Sequence, residues 1–172
     1  MRIEFTQKLV RYHFIYNDGA LFWKNRFHIK ARCKIGSRAG QIIKGRRYIV
    51  VKTNYQRIRY TESRLIFLYH FGYMPEFIDH INRNPLDNRI ENLRPANYSQ
   101  NNINVALQKN NTSGYKGVSL EKRGNRKPYR AIIAHRQIGA FDTIEEAAKA
   151  YDLEAIKLYG EYAVTNFDRT DI

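Results

Sequence analysis

Apolar and polar positions run in short, near-alternating stretches through the first sixty residues, which predicts strands joined by turns. In "IYNDGALFW", Asp18-Gly19 separates two apolar runs, the signature of a hairpin. "RRYIVVKTNYQRIRY" holds two further strands about a polar turn at Thr53-Asn54. At "YTESRLIFLYHFGYMP" the period becomes helical. Thr61 can cap the start, Leu65, Leu68 and Tyr69 share one face, and Gly72 with Pro75 ends the helix. "EFIDHI" reads as a short strand and "NRNPLD" as a turn. "NRIENLR" reads as a turn of helix entering a brief strand, and "YSQNNINVALQ" as a helix capped by Asn97 or Ser99.

"KNNTSG" is polar, rich in Asn and ended by Gly, so it predicts a linker and a module boundary near residue 110. Beyond it, "GYKGVSLEK", "KPYRAIIAHR" and "QIGAF" predict three strands, and "TIEEAAKAYDLEAIKLYG" a helix. Thr143 and Glu146 stand at capping-box spacing, and Gly160 at the helix end. Ala147, Tyr151, Ala155 and Leu158 form an apolar stripe whose small residues let the helix lie close on a sheet. The fold class is therefore α+β. A β-rich region (1–60) precedes a mixed module (61–109), and a three-stranded sheet packed on one helix (110–172) completes the chain.

Charge sharpens this picture. The 172 residues carry 30 Lys and Arg against 16 Asp and Glu, a net +14. From Phe141 onward eight acids face three bases, leaving −5, so residues 1–140 hold +19. Basic side chains there alternate with aromatic and β-branched ones, which points to a nucleic-acid partner and assigns a DNA-contacting role to residues 1–60. A membrane surface would call for a basic amphipathic helix, which the sequence lacks. No apolar run approaches the roughly 18 residues that span a bilayer, and "MRIEFTQKLVRYHF" has no signal-peptide organisation. These features predict an intracellular, cytoplasmic protein. The single Cys33 excludes an internal disulfide framework and a multi-cysteine zinc site.

The stretch "IDHINRNPLDNRIENLRPANYSQNN" sets Asp79 beside His80 and follows them with Asn82, Asn84, Asn88, Asn92, Asn97, Asn101 and Asn102. Asn favours turns and caps, and its amide oxygen suits oxygen-loving cations. A hairpin packed on a helix can bring Asp79 and Asn101 to one divalent ion, with Mg²⁺ expected and Mn²⁺ the alternative. His80 has the intrinsic pKa to take a proton from water near neutral pH. Adjacent strand residues point to opposite faces, so joint use of Asp79 and His80 requires an irregular strand there.

This stretch resembles the HNH motif of phage and intron-encoded homing endonucleases, the ββα-metal fold. The family pattern places Asn-Leu twelve residues after the Asp-His histidine and a last Asn or His nine further on. Asn92-Leu93 and Asn101 keep both intervals. The resemblance implies that Asp79 and Asn101 bind the metal, that His80 is the general base, and that Asn92 holds the loop in shape. It departs at Ser63-Arg64-Leu65, where many relatives carry His-Arg-Leu.

Residues 114–167 resemble the Apetala-two, ethylene-response-factor type of DNA-binding domain, through "GYKGV", "YRAII", "IGAFDTIEEAAKAYDLEA" and "YGEYAVTNF". That resemblance implies a sheet lying in the major groove of double-stranded DNA. Lys116, Arg123, Arg126, Lys127, Arg130 and Arg136 are the candidates for contact. Asn166-Phe167 is expected to close the module's core. Together these features predict a phage-borne, site-selective DNA endonuclease that acts as a monomer and nicks one strand. The competing reading is a non-catalytic DNA-binding regulator that uses the last module.

Overall fold

The computed structural model describes residues 5–26, 33–52, 57–104, 107, 110–121 and 127–172. The chain divides into two units, residues 1–97 and 98–172. The first unit begins with helix α1 (Gln7–His13) and the hairpin β1 (Phe14–Asn17) and β2 (Ala20–Trp23). A meander follows: β3 (Gln41–Ile43), β4 (Arg46–Lys52) and β5 (Arg57–Thr61). It leads into α2 (Glu62–Phe71), and a second hairpin, β6 (Phe77–His80) and β7 (Leu93–Ala96), ends the unit. The second unit holds α3 (Tyr98–Ile103), β8 (Val118–Leu120), β9 (Tyr129–Ile133), β10 (Arg136–Phe141) and α4 (Ile144–Tyr159). The mixture of helices and small sheets is α+β, as expected.

Turn chemistry explains the first hairpin. Asp18 and Gly19 both take positive φ, 40° and 74°, the conformation that joins two strands without splaying them. A side chain at Gly19 would also strike the backbone of Arg89, 2.7 Å from an added Cβ, so this turn leans directly on the loop between β6 and β7. Thr53-Asn54, the second expected turn, lies outside the described residues.

The strand-only reading of residues 1–60 missed α1. Thr6 caps it by accepting from Leu9 N–H, and Val10 and His13 bury one side. Helix α2 also differs from the expected stripe. Leu65, Ile66, Phe67 and Leu68 are all buried, so the helix is enclosed on several sides rather than along one. Thr61 sits at its N-cap position but makes no side-chain cap bond, and Gly72 closes the far end in the left-handed conformation.

One apolar cluster joins α1, β1, β2, β4, α2 and β7 through Val10, Phe14, Leu21, Ile49, Leu65, Ile66 and Leu93. The sequence suggested a division at residues 60 and 61, whereas this core runs across it. The second unit has its own core, in which Val118, Ala131 and Ile133 of the sheet meet Ala147, Ala148, Tyr151 and Ala155 of α4. The capping box forms as expected, Thr143 taking Glu146 N–H at 3.2 Å and Glu146 taking Thr143 N–H at 3.3 Å. Leu158 departs from the expected stripe and is exposed. The buried face continues four residues beyond Ala155 to Tyr159, which packs on the cluster.

Gly117, at φ 72°, lets β8 lie against that helix. An added Cβ there would stand 2.0 Å from the Tyr151 ring. Asp152 is fully buried and accepts from Asn166 N–H, Phe167 N–H and the Asn166 amide, while Asn166 in turn bonds both backbone groups of Lys116. Asn166-Phe167 thus closes the core, as expected. The expected linker is partly a built turn, because Asn111 accepts from Gly114 N–H and Ser113 donates to Val118 O.

Candidate active site

Strands β6 and β7 pair antiparallel, with Phe77 opposite Ala96, Ile78 opposite Pro95, Asp79 opposite Arg94 and His80 opposite Leu93. The register is unbroken, so the expected irregularity at Asp79-His80 is not there. Adjacent strand residues diverge instead, and the two side chains find separate partners. Asp79 is almost fully buried, and on one oxygen it takes a hydrogen bond from Arg94 Nε and an ion-pair contact from Arg94 Nη2, each 2.8 Å. His80, also buried, meets Asn88 with Nε2 2.9 Å from Oδ1.

The asparagines divide their labour across the loop between these strands. Asn82 accepts from Asn84 N–H and Asn84 from Leu86 N–H, which makes them local turn formers. Arg83 adopts φ 62° to complete the reversal. Asn92 is buried and reaches back over the loop. Its oxygen accepts Asn82 N–H at 2.9 Å, and its nitrogen donates to Asn82 Oδ1 at 3.0 Å and Asp87 O at 2.7 Å. Asp87 bonds Asn82 and Arg89, and the Arg89 guanidinium holds its carboxyl well below the usual carboxylate range.

Beneath His80 lies a buried polar chain. Asn88 donates to Glu62 Oε2 at 3.0 Å. Glu62, fully buried at the start of α2, also accepts from Leu21 N–H at 3.0 Å and Arg38 at 3.2 Å, with Arg47 Nε 3.7 Å away. Burial lowers the pKa of the His80 imidazole. The Asn88 hydrogen bond and the charges of Asp79 and Asp87 oppose that shift, whereas Arg46 adds to it. A neutral imidazole at neutral pH can accept a proton.

Asn101, the other expected metal ligand, lies on α3 in the second unit and is half-buried. The Asp79 carboxylate and Asn101 amide are hard oxygen donors of the kind Mg²⁺ takes, and Mg²⁺ needs few protein ligands because it keeps several waters. Among the described residues, no cluster of three or more His, Cys, Asp or Glu side chains is placed to hold an ion.

The expected DNA contacts separate by position. Arg123 and Arg126 lie outside the described residues. Lys116 donates to Ile103 O from its ammonium group. Lys127 is exposed and 3.8 Å from Asp142. Arg130 alternates with the buried Ala131, so it stands on the sheet face away from α4, with Gln137 at 2.8 Å and Glu121 as its ion pair. Arg136 is instead paired with Glu154 of α4.

Sequence reasoning did not single out Glu62, Arg46 or Arg94. Asn88 was visible only as one of a series. Each of these acts through a partner in another element, and no local pattern marks such a partner.

Residues 61–103 match the family described as HNH endonuclease. An uncharacterized HNH endonuclease of Acanthamoeba polyphaga mimivirus is 38% identical over 94 residues, which cover 52% of this chain and 46% of the relative. Protein 3.8 of Escherichia phage T7 is 34% identical over 91 residues, covering 51% of this chain and 73% of that protein. An AP2-like ethylene-responsive transcription factor of Oryza sativa is 34% identical over 110 residues, 53% of this chain but 16% of that protein. The chain thus spans about half the length of the mimivirus protein and a small part of the plant one. No solved structure matches it at a comparable level. The matched segment contains the Asp79-His80 strand and the Asn92 clamp, and on these grounds the chain belongs to the HNH endonuclease family.

Proposed function

We propose that this protein is a metal-dependent, site-selective DNA endonuclease of the homing type, with His80 as its general base. The observation that carries the reading is the β6–β7 hairpin, which buries His80, its pKa lowered by desolvation, next in sequence to Asp79 and under a loop clamped by Asn92. His80 takes a proton from water, the water oxygen bonds to phosphorus, and the bond from phosphorus to the departing sugar oxygen breaks. That oxygen then takes a proton from solvent. Asp79 and, on the family spacing, Asn101 would hold the divalent ion, Mg²⁺ or Mn²⁺, which would supply positive charge to the scissile phosphate. The positive charge of residues 1–140 and the three-stranded sheet of the second unit supply affinity for DNA.

One Asp-His…Asn…Asn set cuts one phosphodiester, so a monomer nicks a single strand. The similarity to plant transcription factors favours a second reading, a DNA-binding regulator without catalysis. Cleavage of supercoiled plasmid in Mg²⁺ separates the two. The endonuclease converts plasmid to open circle, with linear product appearing only late. His80→Ala lowers that rate by about two to four orders of magnitude, the range for a lost general base, while DNA affinity changes little. A purified His80→Ala protein that cuts at the unaltered rate would remove His80 from the mechanism. Direct conversion to linear DNA would remove the monomer.

A further inference from the structure

Glu62 and Asn88 lie outside the residues that the family pattern assigns, yet they end on the ring of His80. We propose that they form a positioning pair that holds His80 in the tautomer with hydrogen on Nε2, making Nδ1 the nitrogen that accepts the proton of water. This rests on the assignment of His80 as the base.

Three donors reach Glu62, Leu21 N–H at 3.0 Å, Asn88 Nδ2 at 3.0 Å and Arg38 at 3.2 Å, and the Arg47 charge stands 3.7 Å away. A carboxylate only accepts hydrogen bonds, so Asn88 must turn its NH₂ group toward it. The amide oxygen then faces His80, 2.9 Å from Nε2. An amide oxygen cannot donate, so Nε2 must, and a neutral imidazole protonated there carries its lone pair on Nδ1. Turning Asn88 end for end would set its oxygen against the Glu62 carboxylate in a site where both residues are buried. The negative charge at Glu62 thus fixes the amide, and the amide fixes the tautomer.

A purely structural role, in which Glu62 and Asn88 only tie α2 to the hairpin, predicts no link between charge placement and tautomer. The test uses the full chain labelled with ¹⁵N-histidine, reading the His80 tautomer by two-bond ¹H–¹⁵N correlation beside kcat and KM for plasmid cleavage in Mg²⁺. In Glu62→Met the carboxylate is gone while the Arg38 and Arg47 guanidinium groups that faced it remain, so Asn88 turns its oxygen toward them and its NH₂ toward His80. The His80 signature should change from Nε2–H to Nδ1–H. The value of kcat should fall about ten-fold or more, with KM for DNA within about two-fold. Adding Asn88→Asp to that variant places a carboxylate between those guanidinium groups and His80, able to accept from both. The Nε2–H signature and most of kcat should return, at unchanged net charge.

An Nδ1–H signature in the unaltered protein would overturn the proposal, and that measurement does not depend on any variant folding. So would a folded Glu62→Met protein with unchanged signature, or a double variant that fails to restore it. If His80→Ala cuts normally, the base assignment fails by itself, and the tautomer still reports on the pair.

Discussion

Arg94 and Asp79 face each other across the β6–β7 ladder, with two guanidinium nitrogens each 2.8 Å from Oδ2. A divalent ion held by Asp79, as proposed, would therefore compete with a resident cation for the same carboxylate. Arg94→Gln should take the guanidinium charge away from the buried Asp79 carboxylate and lower the thermal midpoint without Mg²⁺. Millimolar Mg²⁺ should then restore the midpoint in the variant while changing it little in the unaltered protein. The concentration of Mg²⁺ that half-saturates cleavage should fall by about three-fold or more. A variant whose midpoint ignores Mg²⁺ would show that Asp79 is not a metal ligand.

Asn92 should prove the keystone of the loop. Asn92→Asp keeps the acceptor for Asn82 N–H but replaces two donations with an anion facing the Asp87 carbonyl. Each buried polar group left unmatched costs about 1–3 kcal/mol, so urea unfolding should show a loss of about 2 kcal/mol or more, with cleavage falling further. Unaltered stability and activity would mean that the reversal from Asn82 to Asp87 holds itself.

Three histidines share one sign of pH dependence. Burial lowers the pKa of His13, His70 and His80 from the usual value of 6.5. The unfolded chain then binds more protons just below that value, so stability rises with pH. Their contribution is complete above about pH 6.5 and is lost as pH falls through the lowered range. The thermal midpoint should therefore drop between pH 7.5 and 5.5. His70 has a buried Nε2 without a hydrogen-bond partner and packs edge-on against Tyr16 at 4.6 Å. His70→Phe keeps the packing, so it should flatten part of the slope and raise the midpoint at pH 6. A slope unchanged by that substitution would assign the effect to the other two.

The second unit has a separate core, so residues 98–172 should fold alone and bind DNA without cutting it. Fluorescence anisotropy should show affinity falling with salt, at a log–log slope of about −0.9 per neutralised phosphate. Arg130→Ala should reduce that slope by about one phosphate. Arg136→Ala, whose guanidinium turns to α4, should leave it nearly unchanged. A folded fragment without affinity at low salt would remove this unit from DNA binding.

Elements with local causes were legible in the sequence. Asp18-Gly19 announces its turn through backbone chemistry, and Thr143 with Glu146 announces the start of α4 through two reciprocal bonds three residues apart. The spacing of His80 and Asn92 was equally visible. Helix α1 was not, because its reason is distant. Gln7 donates to the carbonyls of Tyr69 and His70 and Arg11 to that of Tyr69, so α1 caps the end of a helix some sixty residues later. Asn88 escaped notice for a related reason, since it became distinctive only when folding set Glu62 behind it. The face of Arg136 could not be read either, because strand alternation gives two faces without saying which one carries the helix.

The core that runs through Leu21, Ile49, Leu65 and Leu93 also governs how this nuclease can be transplanted. The family match starts at residue 61, and a cut there would look natural to anyone grafting the catalytic segment into another protein. It would carry off β6, β7 and α2 while leaving behind the Leu21 N–H and Arg38 that donate to Glu62 and the Arg47 charge near it, together with about half of the apolar residues beneath the hairpin. The inheritable piece runs from residue 1 through this core to residue 103, the end of the family match, so that Asn101 travels with it. A donor cut at that joint should arrive as a working fold, whereas the shorter graft should arrive as an insoluble peptide bearing an intact motif.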